Sequence, residues 1–115
     1  MLPKRIAKPP KPDKRFRCPS HLKFVRSHAC CRCGRTENIE AAHVRTGTDG
    51  GMGMKPGDYW TISLCGGYLG CHGIQHRISE PEFENRYGID MKELAREFVK
   101  ASPKRRELEA ARDGA

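Results

Sequence analysis

Apolar residues recur with two different periods along this chain, and the periods divide it into strands and helices. In "DYWTISLC", Trp60, Ile62 and Leu64 alternate with Tyr59, Thr61 and Ser63, the two-residue period of a half-buried strand. Upstream, "NIEAAHVR" is short and partly β-branched, which predicts a second strand ending near His43. The helical period governs the later sequence. In "DMKELAREFVKA", Met91, Leu94, Ala95, Phe98 and Val99 form one apolar stripe, with Asp90 as the cap and Glu93 completing a capping box. "SEPEFENRYG" repeats the signal: Ser79 caps, Glu82 follows three residues later, and Gly88 stops the helix. From Cys71 to Ile78 there is no proline, so a helix is expected with His72 and His76 four apart on one face. "CPSHLKFVRSH" predicts a short helix carrying Leu22 and Val25. Paired short strands with separate helices make this a small α+β protein.

The stretches between these elements are read by composition. "TGTDGGMGMKPG" holds five glycines in twelve residues, so it is a loop, too long for a two-residue hairpin turn. Residues 1–17 carry seven Lys/Arg, one Asp and four prolines, the signature of a disordered basic arm. From residue 102 onward the chain is charged with little to bury and reads as a frayed helix or tail, leaving 18–101 as the folding unit.

Charge narrows the partners. A formal net charge of +8 favours a polyanion, most often nucleic acid in a protein of this size. Lys4, Arg5, Lys8, Lys11, Lys14, Arg15 and Arg17 of the arm, with Lys55 of the glycine-rich loop, are the candidate DNA contacts. No run approaches the ~20 apolar residues of a spanning helix, and no apolar signal core follows the basic N-terminus, so a cytoplasmic location is expected and no membrane partner. In a reducing compartment clustered cysteines are metal ligands before they are disulfides.

Cys30 and Cys33 form C-x2-C followed by glycine, the spacing in which two thiolates converge on one tetrahedral ion. Cys65 and Cys71 offer a second pair, and four sulfurs suit structural zinc. Cys31 competes with Cys30, and His72 with Cys71, for membership. Cys18 stands outside any pairing as a spare, half-buried thiol. A lone histidine is ordinarily a solvated or packed residue. Here, however, His43 ends a predicted strand while His72 and His76 share a helix beginning beside the cysteines. A strand–loop–strand–helix path can bring the three together for metal binding and proton transfer.

The order "CCRCG … EAAHVR … GMGMKPGDYWTISLC … CHGIQH" resembles the HNH endonucleases with a ββα-metal core, most closely the phage and prophage branch that includes Ref-type, RecA-dependent nucleases. The resemblance extends over roughly 19–103. It implies a zinc-stapled ββα-metal domain with flanking short helices, cutting phosphodiester bonds with one divalent metal, Mg²⁺ or another available ion, beside a structural zinc. His43 then falls at the general-base position, His72 at the final histidine of the motif, and His76 at the second helix ligand. Asp58 stands where many relatives have Asn and can either bind the metal or brace His43. Ala42 stands where many have a ligand, so Asp58, water or the scissile phosphate must complete the shell. DNA is the implied substrate, and a recombination or packaging protein is a candidate partner. The rival from another class is a non-catalytic zinc module that binds nucleic acid, which has no need of His43, His72 and His76 together.

Overall fold

A computed structural model describes residues 1–7, 15–50 and 55–114. Lys8, Lys11 and Lys14 of the expected arm, and the centre of the glycine-rich loop, lie outside the described residues. Element order is α1 (Pro19–Arg26), β1 (Ile39–His43), β2 (Thr61–Cys65), α2 (Cys71–Arg77), α3 (Glu80–Tyr87), α4 (Met91–Ala101) and α5 (Arg105–Asp113). The protein is therefore a small α+β fold built on a two-stranded antiparallel sheet, in which Ile39 faces Cys65 and His43 faces Thr61.

The predicted caps are present. Ser79 Oγ accepts the Glu82 N–H at 3.2 Å, and Asp90 Oδ1 accepts the Glu93 N–H at 3.1 Å. Gly88 closes α3 at φ 66°, a left-handed conformation that costs glycine little. The stripe on α4 buries Met91, Ala95 and Val99 completely.

The strand β2 departs from the alternating expectation, because all five of its residues are buried. Helices α1 and α4 both pack on it, and its polar side chains are satisfied locally. Thr61 Oγ1 donates to Asp58 O at 2.8 Å, and Ser63 Oγ donates to Ala29 O at 2.7 Å. The flanking aromatics are also reversed: Tyr59 is buried and Trp60 half-exposed. Ile62 and Leu64 are wholly buried, each worth about 1.5–3 kcal/mol.

Among the described residues two apolar clusters result. The larger surrounds the hairpin and takes in Val44, Ile62, Leu64, Phe83 and Met91. The smaller joins Cys18, Tyr59, Val99 and Leu108. Trp60 packs against both. The end of the chain read as a frayed helix or tail thus contributes a helix with Leu108 fully buried against α4. Cys18, expected to be half-buried, is 8% exposed within this cluster. At the other end, the backbone is already docked before residue 18: Asp58 N–H donates to Phe16 O at 3.0 Å, and Arg15 Nε donates to Asp49 O at 3.0 Å. Among the described residues no helix is long and apolar enough to cross a membrane.

Candidate active site and metal centre

Cys30, Cys33, Cys65 and Cys71 bring their sulfurs within 4.8 Å of one another. Two come from the knuckle before β1, one from the end of β2 and one from the start of α2, so the cluster pins three parts of the chain. Four thiolates on one zinc, at about 2.3 Å each, place sulfurs about 3.8 Å apart. Cys33 Sγ and Cys65 Sγ are 3.7 Å apart, so the donor set fits a tetrahedral ion. The competition between neighbours is resolved geometrically. Cys31 turns to Ser63 Oγ at 3.3 Å, and His72 turns away to Glu40. Burial pushes the Cys30 thiol up, but backbone N–H groups of Cys33, Cys65 and Arg32 outweigh it and bring the pKa down to about 7. Cys71, buried and hydrogen-bonded to Cys65 and Cys30, is held above the ordinary thiol value.

His43 ends β1, and its Nε2 lies 2.9 Å from Asp58 Oδ1. Asp58 is 1% exposed. Its Oδ1 also meets Arg17 Nη1 at 3.2 Å, and its Oδ2 accepts the Cys18 N–H at 2.8 Å. Burial would raise the Asp58 pKa, but the His43 hydrogen bond, the Cys18 N–H and the Arg17 charge hold it below the ordinary carboxylate value. With Nε2 engaged and no bond to Nδ1 among the described residues, Nδ1 is the nitrogen of His43 available for proton transfer. The His43 side chain is 18% exposed.

The histidine pair on α2 forms as the four-residue spacing requires. His72 Nε2 and His76 Nε2 face each other at 3.1 Å. Glu40, on β1, meets His72 Nδ1 at 2.9 Å. The Nδ1 proton therefore points at the carboxylate, and the Nε2 lone pair points at His76. Two imidazole nitrogens bound to one divalent ion at about 2.1 Å lie roughly 3 Å apart, so the pair fits such an ion. Burial, with His72 and Arg45 nearby, lowers the His76 pKa and favours the neutral, ligating form. A cavity of about 280 Å³ opens beside the pair, lined by Arg45, Gln75, His76 and Glu80 among others.

Asp58, considered above as a possible third ligand, is not brought to this pair. Both its oxygens are occupied by His43, Arg17 and Cys18, and the four cysteines are the group of three or more convergent ligand side chains found among the described residues. Its place is bracing His43. Ala42 is fully buried in the core. Arg17, read as an arm residue for DNA, donates to Asp58 and to the carbonyls of Pro56 at 2.5 Å and Lys55 at 3.3 Å. Lys4, Arg5, Arg15 and Lys55 are exposed.

The histidine residues are linked through β1. Gln75 Nε2, one position before His76, donates to His43 O at 3.1 Å and to Glu80 Oε2 at 2.9 Å. Glu80 in turn accepts the N–H groups of Arg45 at 3.0 Å and Thr46 at 2.6 Å. Residues missed by the sequence reading are Glu40, Arg45, Gln75 and Glu80. Only the contacts of β1 and the residues after it with α2 and α3 reveal them; Glu40 and His43 lie three apart on β1, an offset that puts their side chains on opposite faces and gave no sign of a shared site. No curated protein and no solved structure matches the chain. Its residues 2–103 match the profile of a family described as a protein of unknown function, DUF968, and the chain belongs to that family.

Proposed function

We propose that the protein is a metal-dependent DNA endonuclease of the HNH type, with a ββα-metal core formed by β1, β2 and α2, a structural zinc on Cys30, Cys33, Cys65 and Cys71, and His43 as general base. The observation that carries this reading is the double use of β1. One end presents Glu40 to the His72–His76 pair at 2.9 Å, and the other presents His43 to Asp58 at 2.9 Å. A structural zinc alone requires neither arrangement.

In this reading His43 Nδ1 accepts a proton from water while Asp58 holds the Nε2–H and stabilises the imidazolium that forms. The water oxygen bonds to phosphorus, and the bond from phosphorus to the 3′ oxygen breaks, that oxygen taking a proton from solvent. Products carry a 5′ phosphate and a 3′ hydroxyl. His72 and His76 would hold Mg²⁺ or another divalent ion, with water and the phosphate completing its shell, and the ion supplies charge neutralisation at the phosphate. Arg45, on the rim of the adjoining cavity, and Lys55 place positive charge for flanking phosphates.

The test is nicking of supercoiled plasmid with Mg²⁺ or Mn²⁺, with zinc content measured throughout. Wild type is expected to nick. His72→Ala and His76→Ala should require more added metal to do so, and Glu40→Gln should weaken metal affinity by roughly 10–100-fold. No nicking by zinc-loaded protein with any divalent ion removes the nuclease reading and leaves a binding module.

A further inference from the structure

Tyr68 and Leu69 are adjacent, and they stand almost wholly in solvent at 85% and 82% exposure. They form the tip of the loop from Gly66 to Gly70 that joins β2 to α2. The tip is braced. Gly70 N–H donates to Gly67 O at 3.0 Å, and Arg77 Nη1 donates to Tyr68 O at 3.0 Å. Gly70 lies so close to the carbonyls of Cys65 and Gly66 that no side chain fits there, and Gly67 takes φ +90°. A fixed backbone thus holds two large apolar side chains outward, where they gain nothing from burial in the isolated chain.

The surroundings indicate what covers them. The Arg77 guanidinium lies 5.7 Å from the Tyr68 ring centroid. An aromatic face and an aliphatic neighbour with a guanidinium beside the ring suit unstacked bases whose phosphates are anionic. Position agrees. A side chain at Gly66 would collide with the Glu40 carboxylate that holds His72, so the loop begins beside the histidine pair.

We propose that Tyr68 and Leu69 form a stacking finger for unpaired bases of single-stranded DNA, directing the adjacent site to strands that are already open. The inference rests on the DNA reading above, though not on cleavage. Full-length protein is titrated with a labelled single strand of about 30 nucleotides, longer than typical site sizes, and with its blunt duplex at one salt concentration. Replacing both residues (Tyr68→Ala with Leu69→Ala) should weaken single-strand binding about tenfold and duplex binding by no more than about twofold, while Tyr68→Phe, which keeps the ring, should stay near wild type. Equal losses on both substrates, or no loss, overturn the finger. So does a change in self-association by light scattering with DNA affinities unaltered, which would make the tip a contact between copies. A wild type that prefers single strands through this pair yet cuts nothing sinks the nuclease reading and leaves the finger. Cleavage that ignores the pair sinks the finger alone.

Discussion

Asp58 offers one oxygen, Oδ1, to both His43 at 2.9 Å and Arg17 at 3.2 Å. The carboxylate therefore orients an imidazole while its own charge is balanced by a residue that precedes the first helix. Aspartate serves here better than asparagine, since an amide cannot accept at every contact. The same sharing ties Arg17 to the body of the fold.

On this geometry His43→Ala should lower kcat by roughly 10²–10⁴-fold with DNA affinity nearly unchanged. Asp58→Asn should lower kcat less, leave KM for DNA nearly unchanged, and lower stability by about 1–3 kcal/mol through the disturbed buried contacts. Single-turnover cleavage and urea unfolding of both variants check this. A His43→Ala protein that cuts at the wild-type rate refutes the assigned base.

The four-sulfur cluster predicts one tightly held zinc per chain. Cys33→Ser should abolish its retention and unfold or aggregate the protein, because metal-binding energy in small zinc domains is folding energy. Cys31→Ser should keep both metal and fold, since Cys31 faces Ser63. Elemental analysis of the two purified variants separates the cases, and loss of zinc from Cys31→Ser would reassign the ligands.

Residues 1–14 contain five Lys/Arg and can be removed without touching Arg15 or Arg17. Each phosphate contact on duplex DNA contributes about 0.9 to the slope of log K against log salt, so the truncation should flatten that slope by no more than about 4.5. The cleavage rate at saturating DNA should hold. Truncation through Arg17 should also impair cleavage, because it strips Asp58 of its cation. Titrations at three salt concentrations measure the slope, and identical slopes would show that the arm serves something other than DNA.

His21 makes the fold sensitive to acid. It is wholly buried on α1, with Nδ1 3.0 Å from Ser102 Oγ and, among the described residues, no partner for Nε2. Burial lowers its pKa to about 4, partly opposed by the Asp58 charge. Between about pH 6.5 and 4 the unfolded chain binds this proton and the folded chain does not, so stability falls as pH falls. From pH 7 to 5 the loss is about 2 kcal/mol. Urea unfolding of wild type and His21→Leu at both pH values should show the variant losing less. Parallel losses would exonerate His21.

Much of the fold was readable because its signals are local. Ser79, Asp90 and Gly88 act within one turn of themselves, and His72 and His76 need only helical spacing to meet. The cysteine set was also legible, since C-x2-C fixes half of it, although only packing chose Cys30 over Cys31. What escaped the reading depends on contacts between distant segments. Leu108 is one apolar residue among charges and becomes core only when α4 is there to receive it. Arg17 looks like any other cation of the arm until Asp58, 41 positions away, is folded beside it. β2 reads as half-buried because alternation reports its own two faces and says nothing of the helices α1 and α4 that pack on it.

Trp60 is the single tryptophan of the chain and touches both apolar clusters, with the Arg96 guanidinium 5.4 Å from its ring centroid. Its indole emission is thus a native optical probe with no competing chromophore of its kind. On the zinc reading, stripping the metal should loosen the hairpin side of that contact, and deleting α5 should loosen the other. Wavelength and quenching measured on the unlabelled protein would show whether the two halves of the core melt in one step or come apart in sequence.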